Sequence, residues 1–221
     1  LVPPISSSAG HVTWFKSNYV KSDPILAEIL KLEKGLTNPI LAPDGAFRVH
    51  DCLPVQFVPK SYKIHRSICP NTTLGTLYTS GLGLMLRERL RKVGIHIESA
   101  QEKHAYLAFR SSIRKDLCTL DLSAASDSFS SQLLRRLLPS EWWHAFNCGR
   151  IRRFSYKGKT YPLSSFMTMG IGFTFELQTL VFYSLVRVIC ELHGTYRSNV
   201  SCYGDDIIAP TKSAELINRC L

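Results

Sequence analysis

Two neighbouring carboxylates, Asp205 and Asp206, follow a tyrosine and a glycine near the C-terminal end of the chain. The β-prone runs 200–203 and 207–209 flank them, and the Gly204-Asp205 pair between the runs is typical of a tight hairpin turn. Two like charges side by side are unfavourable unless a cation lies between them or water solvates both. The apolar flanks indicate a buried hairpin that presents only its tip. They therefore favour a cation site over a plain solvated turn.

A third carboxylate, Asp121, lies in a short, mostly apolar run over 117–122 that predicts a central strand. Residues 123–126 then predict a turn into a helix. An isolated buried carboxylate is costly, so Asp121 either accepts hydrogen bonds from amides at the helix start or binds a metal. Carboxylates on two strands favour the metal, as in sites where two Mg²⁺ ions about 3.5–4 Å apart stabilise the attacking and leaving oxygens.

A glycine-bearing segment over 169–178 lies between these acidic elements. Glycine lets the backbone approach a substrate closely, and helix amides with hydroxyl and amide side chains supply hydrogen bonds. Gly170, Thr174 and Gln178 fall on one face of a helix if the helical register extends that far. Small residues on a helix face usually indicate close packing, but the position between the two acidic elements favours a substrate contact.

The order of the three segments resembles motifs A, B and C of right-hand RNA-dependent RNA polymerases. Segments 120–128, 169–177 and 203–208 resemble more closely the replicase catalytic subunit of the positive-strand RNA bacteriophages, the leviviruses. The resemblance runs from about residue 55 to 210. Ile171 departs from the resemblance, because the family has asparagine between the two glycines. The nucleotide or template contact expected of that asparagine in the loop therefore does not carry over to this chain.

The resemblance implies an α+β fold, a right-hand polymerase core with partial fingers and a palm built on a small antiparallel sheet. The fingers are expected over 1–115, with a basic nucleotide-entry segment at 58–66, and the palm over 116–221. The thumb is expected to be absent, because the chain stops within motif D. The implied palm segments are motif A at 116–131, a fingers-type insertion at about 144–165, motif B at 166–190 and motif C at 200–209.

The resemblance also implies a role for each candidate residue in template-directed RNA synthesis. Asp121 and Asp205 are expected to hold two Mg²⁺ ions, or Mn²⁺ in their place, with Asp206 as an outer ligand. Leu122 completes the expected metal site. The expected nucleotide contacts are Lys60, Lys63 and Arg66 at the triphosphate, Gly170 in the motif B loop, and Asp127, Thr174 and Gln178 at the ribose.

The implied partners are an RNA template and product, nucleoside triphosphates, host translation elongation factors and a ribosomal protein, in the cytoplasm of an infected bacterium. No membrane is implied. The formal net charge of +10 agrees with an RNA partner. Its excess is clustered at 60–66, 87–92, 110–115 and 150–159, although each cluster alone is typical of a solvated face.

Three other functions share part of this pattern. A reverse transcriptase has the same acidic triad, but a bulky aromatic residue is expected shortly after Asp121, where 123–126 are all small. A metal-dependent nuclease shares two-metal chemistry and differs in motif order and in the ribose-facing residues. A non-catalytic RNA-binding protein explains the charge but not the three carboxylates. Asp127 has its own alternative, because aspartate also caps helices.

Local patterns predict the remaining elements. Helices are expected over 80–92, 130–138, 174–192 and 213–221, and a basic loop over 147–159. Seven cysteines without C-x-x-C spacing argue for free thiols in a reducing compartment and against a zinc site. The most apolar stretch, 173–190, contains Glu176, Gln178 and Arg187, which predicts a buried helix rather than a membrane span. No signal peptide is evident at the start.

Overall fold

The computed structural model of the chain describes residues 13–15, 48–50, 52–195 and 199–221. It is a mixed α+β structure, as predicted. Two compact units divide it: the first includes the described residues up to Thr79 together with 130–171, and the second consists of 80–129 and the described residues from Gly172 onward. The helices are α1 (Thr73–Lys92), α2 (Ile97–Arg114), α3 (Ser131–Leu137), α4 (Ser140–Gly149), α5 (Thr174–Leu192) and α6 (Ala214–Cys220).

The second unit is built on a three-stranded antiparallel sheet. Its strands are β6 (Leu117–Leu120), β9 (Ser201–Tyr203) and β10 (Asp206–Pro210), in the order β6-β10-β9. The prediction of a central strand at 117–122 is therefore wrong among the described residues, because β10 is central. Burial explains the difference: every residue of β10 after Asp206 is buried, whereas only Leu117 of β6 is. Helix α2 contacts all three strands, and helix α5 contacts β9 and β10.

The first unit contains three small groups of strands. The parallel pair β1 (Thr13–Phe15) and β2 (Arg48–His50) is followed by the antiparallel pair β4 (Gln56–Pro59) and β5 (His65–Ile68). The third group has the order β3-β7-β8, with β3 at Leu53–Pro54, β7 at Arg153–Tyr156 and β8 at Lys159–Pro162.

The basic loop expected over 147–159 is wrong, because helix α4 continues to Gly149 and strands β7 and β8 form a hairpin after it. The two turn residues of that hairpin, Lys157 and Gly158, both have positive φ, at 49° and 74°. Such a two-residue turn matches the natural twist of a hairpin. The rings of Phe154 and Tyr161 stack across the two strands with centroids 5.4 Å apart. The sequence did not predict this hairpin because lysine occupies the first turn position, where asparagine before glycine is the usual hairpin pattern.

Helix α5 has both ends where the sequence predicts them, and α3 and α6 lie within one residue of their predicted ends. Helix α1 begins at Thr73, earlier than predicted. Helix α2 was not predicted, and its pattern explains why: Tyr106, Phe109 and Ile113 are exposed, so apolar residues do not mark the buried face. No helix in the described parts of the chain is long and apolar enough to cross a membrane. All seven cysteines are free thiols.

A buried ion pair joins helices α1 and α5 in the second unit. The guanidinium of Arg87 donates from Nε and Nη2 to Oε1 of Glu176, with an Nε–Oε1 distance of 3.1 Å. The Glu176 side chain is 5% exposed and that of Arg87 35%. Near this pair the helix backbone is also tightly packed, because a Cβ added at Gly83 would collide with the carbonyl oxygen of Gly172. The pair therefore neutralises a carboxylate that burial would otherwise make costly.

We expect Arg87→Ala to lower the free energy of unfolding by about 2 kcal/mol, because it leaves the Glu176 carboxylate buried without its partner. The expectation lies below the range for fully buried pairs because Arg87 is partly solvated. Urea denaturation followed by circular dichroism measures the change. The matched control is Arg91→Ala, which removes an exposed pair with Glu88 in the same helix and should cost less than about 0.5 kcal/mol. Equal losses in the two variants would contradict this account.

Candidate active site

The carboxylate hairpin has the geometry that the sequence predicts. Tyr203 and Asp206 form the last paired positions of β9 and β10, so Gly204 and Asp205 are the two turn residues. Gly204 has φ +64°, a conformation that side chains other than glycine rarely adopt. Glycine at the first central position is typical of hairpin turns whose twist suits the flanking strands. The turn thus places Asp205 at the tip and Asp206 at the start of the central strand.

The register between β10 and β6 brings the second carboxylate-bearing strand to the same end of the sheet. Ile207 pairs with Leu120, so the next position along the antiparallel ladder sets Asp206 beside Asp121. Both carboxylates line one cavity of about 360 Å³, together with Thr119 of β6 and His104 of helix α2. Two of the three predicted metal-binding carboxylates therefore share a cavity, and Asp205 adjoins Asp206 in the turn.

Electrostatics at this end of the sheet is dominated by negative charge. Partial desolvation raises the pKa of Asp206, and the neighbouring charges of Asp205 and Asp121 raise it further. Among the described residues, no three His, Cys, Asp or Glu side chains are already grouped as a metal site. Carboxylate oxygens are nevertheless the donors that Mg²⁺ prefers, and a cation would relieve the repulsion that raises the Asp206 pKa. The donor set therefore fits a hard divalent cation. Leu122, the remaining predicted member, follows Asp121 directly and is half-buried.

Helix α5 anchors the carboxylate turn through residues that the sequence analysis did not select. The backbone N–H of Gly204 donates to the Thr179 hydroxyl over 2.9 Å, and that hydroxyl donates to the Phe175 carbonyl over 2.8 Å. A Cβ added at Gly204 would lie 2.5 Å from the Phe175 ring. The Tyr203 ring also meets that of Phe175 edge to face, with centroids 4.7 Å apart. These contacts join elements that are distant in sequence, so no local pattern predicts them. The residues of helix α5 that make them lie within the segment Thr-Phe-Glu-Leu-Gln-Thr at 174–179.

Helix α2 supports the same hairpin from the β9 strand. Nε2 of His104 lies 3.0 Å from the Ser201 hydroxyl, and the imidazole ring meets that of Tyr203 edge to face. Burial lowers the pKa of His104, and the charge of Lys103 lowers it further. Burial thus favours the neutral form of the imidazole that lines the carboxylate cavity. His104 was not predicted as a site residue, because nothing in its local sequence pattern relates it to the hairpin.

Asp127 lies in a 3-10 turn over Ala125–Ser128 with its side chain exposed. The helix that follows is capped by another residue: the Ser130 hydroxyl accepts from the backbone N–H of Leu133 over 3.1 Å. The alternative that Asp127 caps this helix is therefore wrong. The chain reaches the 3-10 turn through Ala124, whose φ of +54° is unusual for alanine.

The three residues predicted to share one helix face, Gly170, Thr174 and Gln178, do not all do so in the structure. Helix α5 begins at Thr174, so Gly170 does not share a helix face with Thr174 and Gln178. Gly170 instead occupies a turn at φ +110°, where an added Cβ would lie 2.9 Å from the Cys69 carbonyl oxygen. Thr174 is half-buried and Gln178 is buried at 5% exposure. Ile171 is 4% exposed and belongs to the core, so its apolar side chain is explained by packing.

Lys60, Lys63 and Arg66 are grouped on one hairpin of the first unit. Lys60 and Lys63 lie in the loop between β4 and β5, and Arg66 lies on β5 opposite Val58. The loop is closed by backbone N–H groups of Lys60 and Ser61, which donate to the Ile64 carbonyl over 2.9 and 3.1 Å. All three basic side chains are exposed, and the ammonium of Lys63 lies over its neighbour Tyr62. The hairpin thus presents three cations to solvent.

The structure and the site together define an α+β protein with carboxylates from two neighbouring strands at one end of a small antiparallel sheet. Comparison with known proteins identifies its family. The sequence profile of the RNA replicase, beta-chain family matches residues 23–221, which is most of the chain. The chain belongs to this family.

Individual relatives agree with this assignment. The RNA-directed RNA polymerase beta chain of Escherichia phage MS2 is 35% identical over 164 residues, which cover 74% of this chain and 30% of that protein. That of Enterobacteria phage fr is 37% identical with the same coverage. The RNA-directed RNA polymerase subunit beta of Escherichia virus Qbeta is 38% identical over 155 residues, or 70% of this chain and 26% of that protein. The chain spans less than a third of the length of these relatives.

We expect Thr179→Val to destabilise the carboxylate turn, because the isosteric side chain leaves the buried Gly204 N–H without its acceptor. The cost should be about 1–2 kcal/mol in urea denaturation. Exchange of the Gly204 amide hydrogen, followed by NMR, should also become faster.

The matched control is Thr79→Val, which removes another fully buried helical hydroxyl that bonds to a carbonyl of its own helix. It should leave Gly204 exchange unchanged. Unchanged exchange in Thr179→Val as well would show that this hydroxyl does not hold the turn.

Proposed function

We propose that this chain forms the catalytic core of a phage RNA replicase and carries out template-directed RNA synthesis from nucleoside triphosphates. The observation that carries the proposal is the register that sets Asp206 beside Asp121 at the tip of the carboxylate hairpin. Membership of the RNA replicase family supports it, as do relatives named RNA-directed RNA polymerase. In this reaction an RNA 3′-hydroxyl attacks the α-phosphate of a nucleoside triphosphate in line, and pyrophosphate leaves.

The architecture we propose is part of a right hand, with fingers over 1–115 and a palm over 116–221. Support for the palm comes from the β6-β10-β9 sheet, on which helix α5 packs. Within this palm, motif A corresponds to 116–131, motif B to 166–190 and motif C to 200–209, while 144–165 is an insertion of the fingers type. The β7–β8 hairpin supports the last assignment, because it forms its sheet with β3 rather than with the palm strands.

Asp121 and Asp205 hold two Mg²⁺ ions in this proposal, or Mn²⁺, with Asp206 as an outer ligand and Leu122 completing the site. Bound metal would supply charge stabilisation for the attacking and leaving oxygens. The protein groups themselves position these carboxylates: the Gly204 turn sets the hairpin tip, and the Thr179 hydroxyl fixes the turn against helix α5. Preorganisation of this kind costs no rearrangement when charge develops.

The nucleotide contacts we propose are those of the exposed β4–β5 hairpin and of the motif A turn. Lys60, Lys63 and Arg66 bind and orient the triphosphate through charge-assisted hydrogen bonds. Asp127 accepts a hydrogen bond from the ribose 2′-hydroxyl, with Thr174, Gln178 and the Gly170 loop as supporting groups. Host elongation factors and a ribosomal protein, in the bacterial cytoplasm, complete the set of partners that the family resemblance implies.

Replacing metal-binding carboxylates tests the proposed reaction directly. In a replicase of the relatives' length that contains these residues, we expect Asp121→Asn or Asp205→Asn to reduce nucleotide addition at least about a thousandfold, because a ligand for the charge-stabilising ions is lost. Asp206→Asn should be milder. Primer extension on an RNA template measures the rates, and circular dichroism verifies folding.

The matched control is Asp116→Asn, since Asp116 lies just before β6 but is paired with Arg110 over 3.1 Å. This variant should retain activity. Folded Asp121 and Asp205 variants with more than a few per cent of the original rate would refute the metal assignment. Extension with deoxyribonucleotides instead would identify a reverse transcriptase, and cleavage of the template a nuclease.

Sugar choice gives a separate test of Asp127. We expect Asp127→Ala to reduce discrimination between each ribonucleotide and its deoxy analogue by about tenfold, because a hydrogen bond to a charged acceptor is lost. Competition between the two nucleotides in primer extension measures the ratio.

Ser130→Ala provides the control, because it removes the cap of helix α3 and should cost about 1 kcal/mol of stability without changing sugar choice. Unaltered discrimination in Asp127→Ala would exclude a ribose contact for this carboxylate.

A further inference from the structure

A second cluster of charge, on the first unit, forms a pocket that the proposed reaction does not use. Helices α3 and α4 and the segment before β7 line an open cavity of about 310 Å³. Its lining residues include Gln132, Arg135, Trp143, Asn147, Arg150 and Arg152. None of them belongs to the predicted catalytic or nucleotide-binding sets.

The charge of this pocket is uncompensated among the described residues. Arg135, Arg150 and Arg152 line it, and no carboxylate does. Burial lowers the pKa of Arg150, and the neighbouring charge of Arg152 lowers it further. Arg135 and Arg152 are exposed and Arg150 is half-buried, and an anion that joins such like charges relieves their repulsion. The pocket therefore has the electrostatic character of an anion site.

Aromatic rings hold two of the three guanidinium groups in place. That of Arg135 lies over the Trp143 ring at 5.3 Å, and that of Arg150 lies over the Phe166 ring at 5.2 Å. Nη1 of Arg150 also donates to the Ser165 carbonyl over 3.4 Å. These contacts reduce the side-chain entropy that an anion would otherwise have to remove.

Two residues that line the pocket each have a side-chain donor without an acceptor among the described residues. The indole Nε1 of Trp143 and the Nε of Arg150 are buried, and neither has a hydrogen-bond partner within the described parts of the chain. Buried donors normally find an acceptor, so two side chains that line the pocket retain hydrogen-bonding capacity that the described part of the protein does not use. Neither donor can be satisfied by another cation, which again favours an oxyanion.

We propose that this pocket binds the phosphodiester backbone of single-stranded RNA. Guanidinium groups recognise phosphate oxygens by paired hydrogen bonds, and arginine combined with aromatic rings is typical of sites for single-stranded nucleic acid. The cavity also has amide donors and acceptors in Gln132 and Asn147 and is larger than one phosphate group requires. The pocket is thus an RNA contact made independently of nucleotide addition.

Fluorescence anisotropy of a short labelled single-stranded RNA tests the proposal with the 221-residue chain. The measurement is made in EDTA, so that metal binding at the carboxylates does not contribute and failure of the polymerase proposal leaves the result unaffected. We expect Arg135→Ala and Arg152→Ala each to raise Kd by about three- to tenfold. Each should also reduce the slope of log affinity against log salt by about 0.7, as for one lost phosphate contact.

Matched controls are Arg136→Ala and Arg153→Ala, which remove exposed arginines adjacent in sequence that do not line the pocket. Both should bind RNA with nearly unchanged Kd. Arg150→Lys, which keeps the charge but loses the paired donors, should weaken binding while thermal denaturation shows an intact fold.

Equal weakening by the control and pocket variants would overturn the proposal, because the effect would then be that of net charge alone. Unchanged RNA affinity in the pocket variants would also overturn it. Binding of inorganic tripolyphosphate to the same variants distinguishes a site for free phosphate. If the pocket variants weaken tripolyphosphate binding but not RNA binding, RNA is rejected as the ligand.

Discussion

The antiparallel register of β6, β10 and β9 is the constraint on which the candidate active site depends. Side chains alternate between the faces of a strand, so a slip of one residue would send Asp206 to the opposite face and separate it from Asp121. Contacts outside the sheet maintain this register. The Gly204 turn closes against the Phe175 ring and the Thr179 hydroxyl, and a larger residue at the turn would not fit.

Partly or fully buried charged side chains in this protein have two kinds of environment. The Glu176 carboxylate is buried and has a partner, the partly exposed guanidinium of Arg87, and the helix backbone near the pair is tightly packed. Asp206 and Arg150, by contrast, are influenced chiefly by burial and by neighbours of the same sign. Paired charge contributes to the fold, whereas repelling charge stores free energy that a ligand of opposite sign can release. Such repulsion occurs at the carboxylate hairpin and in the arginine pocket.

Local sequence patterns were sufficient for several elements. Helix α5 is long and has an apolar face along its length, and both of its ends were predicted correctly. Helix α2 was missed, because its exposed aromatic residues conceal the buried face. The β7–β8 hairpin was missed because a lysine occupies a turn position at positive φ. The alternative role of Asp127 as a cap failed because Ser130, one residue before helix α3, fulfils it.

The sequence by itself determined the carboxylate hairpin, since a Gly-Asp turn between β-prone runs depends only on neighbouring residues. It also determined the family, through motifs that are short and continuous. Only the tertiary structure decided that β10 is the central strand, that Asp206 lies beside Asp121, and that Thr179 holds the turn. Each of these depends on contacts between residues far apart in the chain. No local pattern encodes such contacts, because packing selects them only when the whole core is assembled.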